Sequence, residues 1–200
     1  MPRKNLIRTN QYPYHVTIRT NNKDWFDLPM EDVWSICKDQ ITKAKTNFPV
    51  DIQAFVLMNN HYHLMLWTPN SNLDKFMYKF NLGISKNIRE KTGRINRIFG
   101  DRYHWCLIKN QTYYKSVLKY IYQNPRRAGL TNKCEDYPFS TLHYITFKKL
   151  LGFDLFQAVP GDVAFYSWIN DNQKFPKSFS KAIRKPLFKY PINITSRRKI

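Results

Sequence analysis

Cysteine is scarce in this chain of 200 residues, and long apolar runs are missing. The three cysteines, Cys37, Cys106 and Cys134, are widely spaced and odd in number, which argues against a disulfide framework and against a CxxC metal site. No run approaches the roughly 18 apolar residues of a spanning helix, and the basic start lacks the apolar segment of a secretion signal. We therefore expect a soluble protein that stays in the reducing cytoplasm and does not bind membranes.

Acidic residues are also few, with 14 against 33 lysines and arginines, so the formal net charge is +19. Such an excess favours polyanionic partners. The basic residues are spread along the chain rather than gathered on one amphipathic helix, which favours nucleic acid over an anionic membrane surface. When bound to DNA, the protein is expected to be associated with the nucleoid.

Hydrophobic periodicity predicts the strands and helices. Apolar and polar residues alternate over 14–18, as in a half-buried strand, and 52–58, 62–67 and 103–109 are further strand-like runs. Helical spacing follows Pro29 for about 15 residues, returns between a cap at Ser71 and Asp74 and an end near Gly93, and recurs over 113–123. Pro125 is expected to end the third helix, because the residue before a proline disfavours helical dihedral angles.

The order β-α-β-β-α-β followed by one more helix predicts an α+β fold of the ferredoxin-like type. Two helices would cover one face of a four-stranded antiparallel sheet, and the third helix would lie against the other face, where a site can form. We expect one domain over residues 1–150 and a basic C-terminal extension over 151–200. The last 28 residues of that extension are expected to lie at the periphery and to become ordered on a partner.

The most informative tripeptide is His61-Tyr62-His63 in the third predicted strand. Residues two apart in a strand point to the same face, so both imidazoles would project together beside the hairpin turn and face one cation. Two histidines at this spacing more often only pack or form hydrogen bonds, so the pair alone does not establish a metal site.

The third predicted helix adds a second group of candidate residues. Tyr120 and Asn124 are four residues apart and share a helix face, whereas Tyr122 points about 200° away from Tyr120. An amide oxygen combined with two imidazoles gives a mixed, fairly hard ligand set that suits Mg²⁺ or Mn²⁺ beside a phosphate. The alternative role for Tyr120 is that of a core tyrosine in an aromatic-rich chain.

Two segments resemble the signatures of the single-tyrosine HUH transposases, specifically the REP-associated tyrosine transposases: FVLMNNHYHLMLW at 55–67 and YIYQNPRRAGL at 120–130. PYHVT at 13–17 and FGDRY at 99–103 resemble further segments of that family. The resemblance implies that His61 and His63 are the histidine pair, that Tyr120 is the nucleophile and that Asn124 is the third metal ligand. Arg126 departs from the small apolar residue expected at its position.

The resemblance further implies metal-dependent cleavage and rejoining of single-stranded DNA next to a hairpin. Attack by Tyr120 would leave a 5′-phosphotyrosine and a 3′-OH. Rejoining then needs no nucleotide triphosphate, and no GxxxxGK[ST] loop occurs in the sequence. Lys119, His15 and His104 remain open as candidates for the base that takes the phenol proton.

Two groups of basic side chains are expected to contact phosphates. They are Lys115, Lys119, Arg126 and Arg127 around the proposed nucleophile, and Arg94, Arg97 and Arg102 after the second helix. Two other functions stay open: a non-catalytic single-stranded nucleic-acid-binding module with structural histidines, and a nuclease that uses activated water. Both a monomer and a homodimer agree with the resemblance.

Overall fold

The computed structural model describes residues 5–156, 161–172 and 175–189. The strands are β1 (Tyr14–Arg19), β2 (Asp51–Met58), β3 (His61–Trp67) and β4 (His104–Leu107). The helices are α1 (Met30–Asn47), α2 (Leu73–Thr92), α3 (Gln111–Arg127), α4 (Thr141–Thr146), α5 (Val163–Ile169) and α6 (Lys177–Ala182). In the described ranges, no helix combines the length and the apolar character needed to cross a membrane.

The four strands form one antiparallel sheet in the order β2-β3-β1-β4. Strands β2 and β3 form a hairpin in which Met58 is paired with His61. Strand β1 lies between β3 and β4, so the first and last strands of the core are neighbours. This is the strand order of a ferredoxin-like sheet, and it confirms the predicted α+β fold class.

Helices α1 and α2 cover the first face of the sheet and enclose a predominantly apolar core. Phe55 of β2 lies at its centre, stacked on Trp34 of α1 at a ring separation of 5.3 Å. Helix α2 ends at Gly93 with a φ of 68°, the left-handed conformation expected of a C-terminal glycine cap. The predicted cap at Ser71 is wrong, because Asn72 occupies the capping position and its side chain makes no capping hydrogen bond.

Helix α3 is longer at both ends than its sequence pattern predicts. Asn110 caps its start, accepting hydrogen bonds from the backbone N–H groups of Thr112 and Tyr113. Pro125 does not end the helix but lies inside its last turn. The proline leaves the Ile121 carbonyl without its usual donor, and the Asn124 side-chain amide approaches that carbonyl at 3.4 Å. This local replacement lets the helix continue to Arg127.

Helix α3 lies against the second face of the sheet, as predicted, and contributes to a second apolar cluster. Residues beyond 150 complete this cluster, since Phe165 of α5, Phe179 of α6 and Phe188 are all buried in it. The peripheral position expected for residues 175–189 is therefore wrong, because their aromatic side chains gain free energy by leaving water. The rest of the predicted tail, 173–174 and 190–200, lies outside the described residues, and the boundary at residue 150 stays a prediction.

Candidate functional site

The two histidines of β3 project from the second face of the sheet. Their cross-strand partners on β2 are Met58 for His61 and Val56 for His63, and both partners belong to the second apolar cluster. Directly paired residues in a sheet share a face. The two imidazole rings lie 5.1 Å apart and are nearly perpendicular. Both imidazoles project from the same face of the sheet, as expected, and their binding of one cation stays a prediction.

Hydrogen bonds at the hairpin turn determine which nitrogen of His61 carries the proton. The Asn60 Nδ2 group donates to the Lys23 carbonyl at 2.7 Å, so Oδ1 is the end of this amide that faces His61. His61 Nδ1 lies 2.8 Å from that oxygen. Because an amide oxygen only accepts hydrogen bonds, Nδ1 is the donor, and the lone pair of the neutral ring is on Nε2.

His63 has a third histidine as its partner. The Nε2 atom of His15, on the neighbouring strand β1, lies 2.9 Å from Nδ1 of His63. The two rings are stacked, 5.2 Å apart with an interplanar angle of 14°. The only nitrogen of His63 that remains for another ligand is therefore Nε2.

Burial keeps all three imidazoles neutral near pH 7. It lowers the pKa of His15 to about 4. Burial and then the nearby Arg19 and Arg184 lower the pKa of His61 to about 4 as well. The pKa of His63 lies well below its ordinary value because of burial, and then because of the adjacent His61 and His15. Neutral imidazoles are the form that binds metal ions.

Tyr120 lies directly against this histidine cluster. Its ring meets the His63 ring edge to face, with the centroids 5.8 Å apart. Phe175 and Phe179 cover the tyrosine from the C-terminal segment at 5.4 and 5.3 Å, and the Arg127 guanidinium lies 5.0 Å from its ring centre. Only 7% of the tyrosine is exposed. The structure thus brings Tyr120 to the histidines and encloses it.

Asn124 follows Tyr120 by one helical turn. Its Nδ2 group donates to the Tyr120 carbonyl at 2.8 Å. This contact uses the nitrogen end of the amide, so Oδ1 is the end that can bind a cation. No distance in the described structure joins this oxygen to the histidines, so its place in a shared site remains a prediction.

The side chains present fit a divalent cation of the predicted kind. The described residues include no group of three or more His, Cys, Asp or Glu side chains that could hold a metal ion. A metal here would instead depend on Nε2 of His61, Nε2 of His63 and Oδ1 of Asn124. Both imidazoles have Nδ1 committed to a neighbour, which is the usual arrangement of metal-bound histidines. Two nitrogen donors and one oxygen donor leave open positions suited to Mg²⁺ or Mn²⁺ beside a phosphate.

Three of the predicted phosphate-binding cations are occupied by the protein itself. Lys119 is 1% exposed and pairs with Asp171 at 2.5 Å. The Arg126 guanidinium donates to the carbonyls of Asn170 and Asp171 and to the side chain of Asn172. In the described structure both side chains connect α3 to the segment after α5, and their predicted contacts with phosphate stay predictions.

Arg94 is the third predicted phosphate-binding residue that is already paired within the protein. It bridges Asp24 at 3.8 Å and Asp27 at 2.9 Å, and its side chain is 16% exposed. These two carboxylates compete with a phosphate for Arg94, and its predicted contact with phosphate stays a prediction. Other predicted contacts are exposed: Lys115, Arg97, Arg102 and Arg127.

The base predicted for Tyr120 remains unassigned. Lys119 is ion-paired with Asp171, Nε2 of His15 is directed at His63, and His104 is exposed on β4. Among the described residues, none of the three is hydrogen-bonded to the Tyr120 hydroxyl. Sequence reasoning missed the aromatic cover, although Phe175 and Phe179 have the i, i+4 spacing of a helix face.

The family model described as "Transposase IS200 like" matches residues 8–124 of the chain. That range includes the histidine pair, Tyr120 and Asn124, and it exceeds half of the chain. The protein belongs to this transposase family.

The chain is also similar in sequence to a specific transposase. The chain is 30% identical over 110 residues to the REP-associated tyrosine transposase of Escherichia coli (strain K12). The alignment covers 55% of this chain and 65% of that protein, slightly less than two thirds of the relative's length. The resemblance predicted from the two signature segments is confirmed.

One solved structure supports the fold. A REP-associated tyrosine transposase bound to a REP hairpin matches with a TM-score of 0.62 at 21% identity, over 81% of this chain and 98% of that chain. At this identity the match establishes a shared fold. A transposase structure from Deinococcus radiodurans R1 matches with a TM-score of only 0.42 at 15% identity, over 60% of this chain and 95% of that one.

Proposed function

We propose that this protein cuts and rejoins single-stranded DNA next to a hairpin, with Tyr120 as the nucleophile and a divalent cation, Mg²⁺ or Mn²⁺, on His61, His63 and Asn124. The observation that carries the proposal is the edge-to-face contact of Tyr120 with His63 at 5.8 Å. It places a phenol, the attacking group of covalent phosphodiester chemistry, beside two neutral imidazoles.

The proposed reaction conserves one phosphoester bond. The Tyr120 oxygen attacks the scissile phosphorus, the bond from phosphorus to the 3′ oxygen breaks, and the leaving strand takes up a proton as a 3′-OH. The DNA remains attached to the protein through a 5′-phosphotyrosine. Attack by a 3′-OH on that linkage reverses the steps, releases the tyrosine and restores a continuous strand.

In the protein without DNA, the two histidines are neutral and therefore ready to bind a cation. Burial keeps the pKa of His61 and of His63 far enough below neutrality that neither ring needs to lose a proton to bind a cation. When bound, the cation would neutralise charge on the non-bridging phosphate oxygens and orient the scissile bond. Arg127, beside the Tyr120 ring, adds a fixed positive charge at the same place.

The proposed reaction requires that DNA reach Tyr120, and the fold restricts this access. Tyr120 is 7% exposed beneath Phe175 and Phe179. We expect these rings to move aside when a phosphate approaches the tyrosine. The same cover favours the second candidate function, a binding module that holds DNA without cutting it, because a covered phenol does not attack.

The proposed DNA contacts are the exposed cations Lys115, Arg97, Arg102 and Arg127. A related transposase structure contains a REP hairpin, and we extend that class of ligand, hairpin-bearing single-stranded DNA, to this chain. The excess of positive charge supports a polyanionic partner. A cytoplasmic, nucleoid-associated location and a monomeric or homodimeric state remain part of the proposal.

The test is a covalent-adduct assay. The protein is incubated with labelled single-stranded hairpin DNA and Mg²⁺ or Mn²⁺, denatured, and separated by size. The parent protein is expected to form a labelled adduct and Tyr120→Phe none, while the control Tyr113→Phe, on the same helix, retains it. Alanine at His61 or His63 is expected to abolish cleavage and leave binding largely intact.

The other functions give different outcomes in the same assay. DNA binding without cleavage in the parent protein would identify the binding module. Cleavage without an adduct would identify water as the nucleophile. An adduct formed equally well by Tyr120→Phe would contradict the assignment of the nucleophile.

A further inference from the structure

We infer that Arg19 is a phosphate-binding residue at the rim of the candidate site, where its guanidinium contacts the single-stranded part of the DNA beside His61. The pattern of the sequence did not single out this residue. The choice of DNA as the ligand rests on the proposed function, whereas the position of Arg19 is a property of the free protein.

The strand pairing places Arg19 beside the histidine pair. Arg19 is the last residue of β1 and lies directly opposite His61 of β3, while Thr17 lies opposite His63. Directly paired residues share a face of the sheet, and their Cβ atoms are about 5 Å apart. Arg19 therefore projects from the same face as the two imidazoles. Its side chain is exposed, so a ligand can approach it from solvent.

Hydrogen bonds on both sides hold the backbone at Arg19. Its carbonyl accepts from the Gly100 N–H group at 3.2 Å, and the N–H group of Thr20 donates to the Asn60 carbonyl at 2.9 Å. Asn60 lies in the turn that immediately precedes His61. These bonds connect the backbone of Arg19 to the hairpin that carries the histidines. Only the side chain of Arg19 then loses conformational freedom when it binds a ligand.

Among the described residues, no carboxylate forms an ion pair with Arg19. The ion pairs there involve other cations: Arg8, Lys86, Arg94 and Lys119. The charge of Arg19 does act on the site, because after burial it is the next cause that lowers the pKa of His61. An unpaired guanidinium attracts anions, and its planar fork matches two oxygens of one phosphate.

A segment with two of the proposed DNA contacts lies directly beside Arg19. Thr20, the next residue, pairs with Phe99 in an antiparallel bridge. Arg97 and Arg102, both exposed, flank Phe99 in the sequence. Arg19 thus lies between this segment and the histidine pair. A single strand that leaves a hairpin bound by Arg97 and Arg102 would pass Arg19 before it reaches the histidines.

Arg19 and the proposed nucleophile lie beside different histidines of the pair. Arg19 is opposite His61 in the sheet, whereas the Tyr120 ring contacts His63. A strand bound by Arg19 would therefore be held at one end of the pair while the phenol approaches from the other. Such positioning reduces the freedom that the DNA must lose before attack.

The test compares two labelled DNA probes by fluorescence anisotropy in metal-free buffer, where the proposed metal-dependent cleavage does not occur. One probe is a hairpin with single-stranded flanks, and the other is the same hairpin without them. For Arg19→Gln we expect the flanked probe to bind about tenfold more weakly, as for one lost hydrogen-bonded contact of a charged group. The slope of log affinity against log salt should fall by about 0.7. Binding of the hairpin without flanks should change little.

Two further variants serve as controls. Arg19→Lys retains the charge but loses the planar fork, so we expect it to keep the salt slope of the parent and to lose only part of the affinity. Lys43→Gln removes an exposed cation from α1, the helix on the other face of the sheet, and should match the parent with both probes. Because positions 19 and 43 are exposed, all three variants are expected to fold like the parent, which denaturant titration checks.

Three results would overturn the role of Arg19. The first is equal affinity and equal salt slope of Arg19→Gln and the parent with the flanked probe. The second is an equal loss with the hairpin that lacks flanks, and the third is an equal loss in Lys43→Gln, since the charge would then act without a local contact.

The covalent-adduct assay separates this role from the proposed function. If the parent forms no adduct with Mn²⁺ while Arg19→Gln still binds the flanked probe more weakly, the proposed chemistry fails and the contact of Arg19 with the single strand stands. If the parent forms the adduct and Arg19→Gln binds the flanked probe as tightly as the parent, the chemistry stands and the role of Arg19 fails.

Discussion

The two faces of one sheet have opposite contents. Between the sheet and helices α1 and α2, the interior is apolar and aromatic, with Phe55 at its centre. Around α3, polar groups are buried: His15 and His63 lie between the sheet and α3, and Lys119 and Gln123 lie between α3 and the segment at the end of α5. The first face stabilises the fold by removing apolar surface from water. The second face has candidate chemical groups, and burial of polar groups costs free energy except where a neighbour forms a hydrogen bond or an ion pair with them.

One strand, β3, contributes both to the stabilising core and to the candidate site. Tyr62 of β3 belongs to the first core, while His61 and His63 on either side of it face the second. Because consecutive side chains alternate between faces, the first core anchors the backbone that positions the histidines. A change on the first face should therefore affect the free energy of unfolding. A change on the second face should affect the pH dependence of stability, the packing of the C-terminal segment on α3, or the affinity for DNA.

The largest expected effect comes from the first face. Phe55→Ala removes a fully buried ring that stacks on Trp34 and also contacts Tyr62 and Phe80. We expect the free energy of unfolding to fall by about 3–5 kcal/mol, measured by denaturant titration. A loss below about 1 kcal/mol would mean that this face is not the main source of stability.

A smaller effect should come from the buried imidazoles of the second face. Burial lowers the pKa of His15 to about 4 from 6.5, so the unfolded chain binds a proton more readily than the folded one between these values. Stability is therefore complete above pH 6.5 and declines as the pH falls toward 4. For His15 alone, the loss at pH 5 is about 2 kcal/mol.

Denaturant titrations at pH 7 and pH 5 measure this effect. His15→Gln should reduce the difference between the two pH values, and His104→Gln, at an exposed position, should leave it unchanged. Equal pH dependence in the parent and His15→Gln would show that the His15 ring is not held neutral by burial.

The next effect distinguishes a buried cation from an exposed one on α3. Lys119→Met breaks the pair with Asp171 and the contact of the ammonium with Trp168. Because the Asp171 side chain is 48% exposed and water solvates it, we expect a loss of only about 1–2 kcal/mol in unfolding free energy. DNA affinity should change little.

Lys115 is the matched control, one helical turn earlier and exposed. Lys115→Met should leave stability within about 0.5 kcal/mol and weaken binding to hairpin DNA, measured by fluorescence anisotropy. If Lys119→Met weakens DNA binding more than Lys115→Met does, then the pair with Asp171 does not keep Lys119 from contributing to DNA binding.

The smallest effect concerns two arginines near the end of α2. Arg97→Gln removes an exposed cation and should lower the slope of log affinity against log salt by about 0.7–0.9. Arg94→Gln removes a cation already paired with Asp24 and Asp27, so its slope should match that of the parent. Equal changes in the two variants would mean that the carboxylates do not keep Arg94 from the DNA.

Much of this architecture could be predicted from sequence. Alternation located the first strand, strand-like runs located the other three, and helical spacing located α1, α2 and α3 within a few residues at each end. The helix across Pro125 could not be predicted, because its continuation depends on a side-chain amide that replaces the missing backbone donor. The burial of Phe179 and Phe188 could not be predicted either, because aromatic residues scattered through a basic tail do not form a clear periodic pattern.

For the candidate site, the sequence by itself determined that His61 and His63 share a face and that Tyr120 and Asn124 share another. Strand and helix periods fix those relations locally. Only the tertiary structure decided that Tyr120 meets His63, that His15 pairs with His63 across two strands, and that Lys119 and Arg126 hold the C-terminal segment instead of facing solvent. These contacts join residues distant in sequence, and their partners are chosen by packing, which no local pattern encodes.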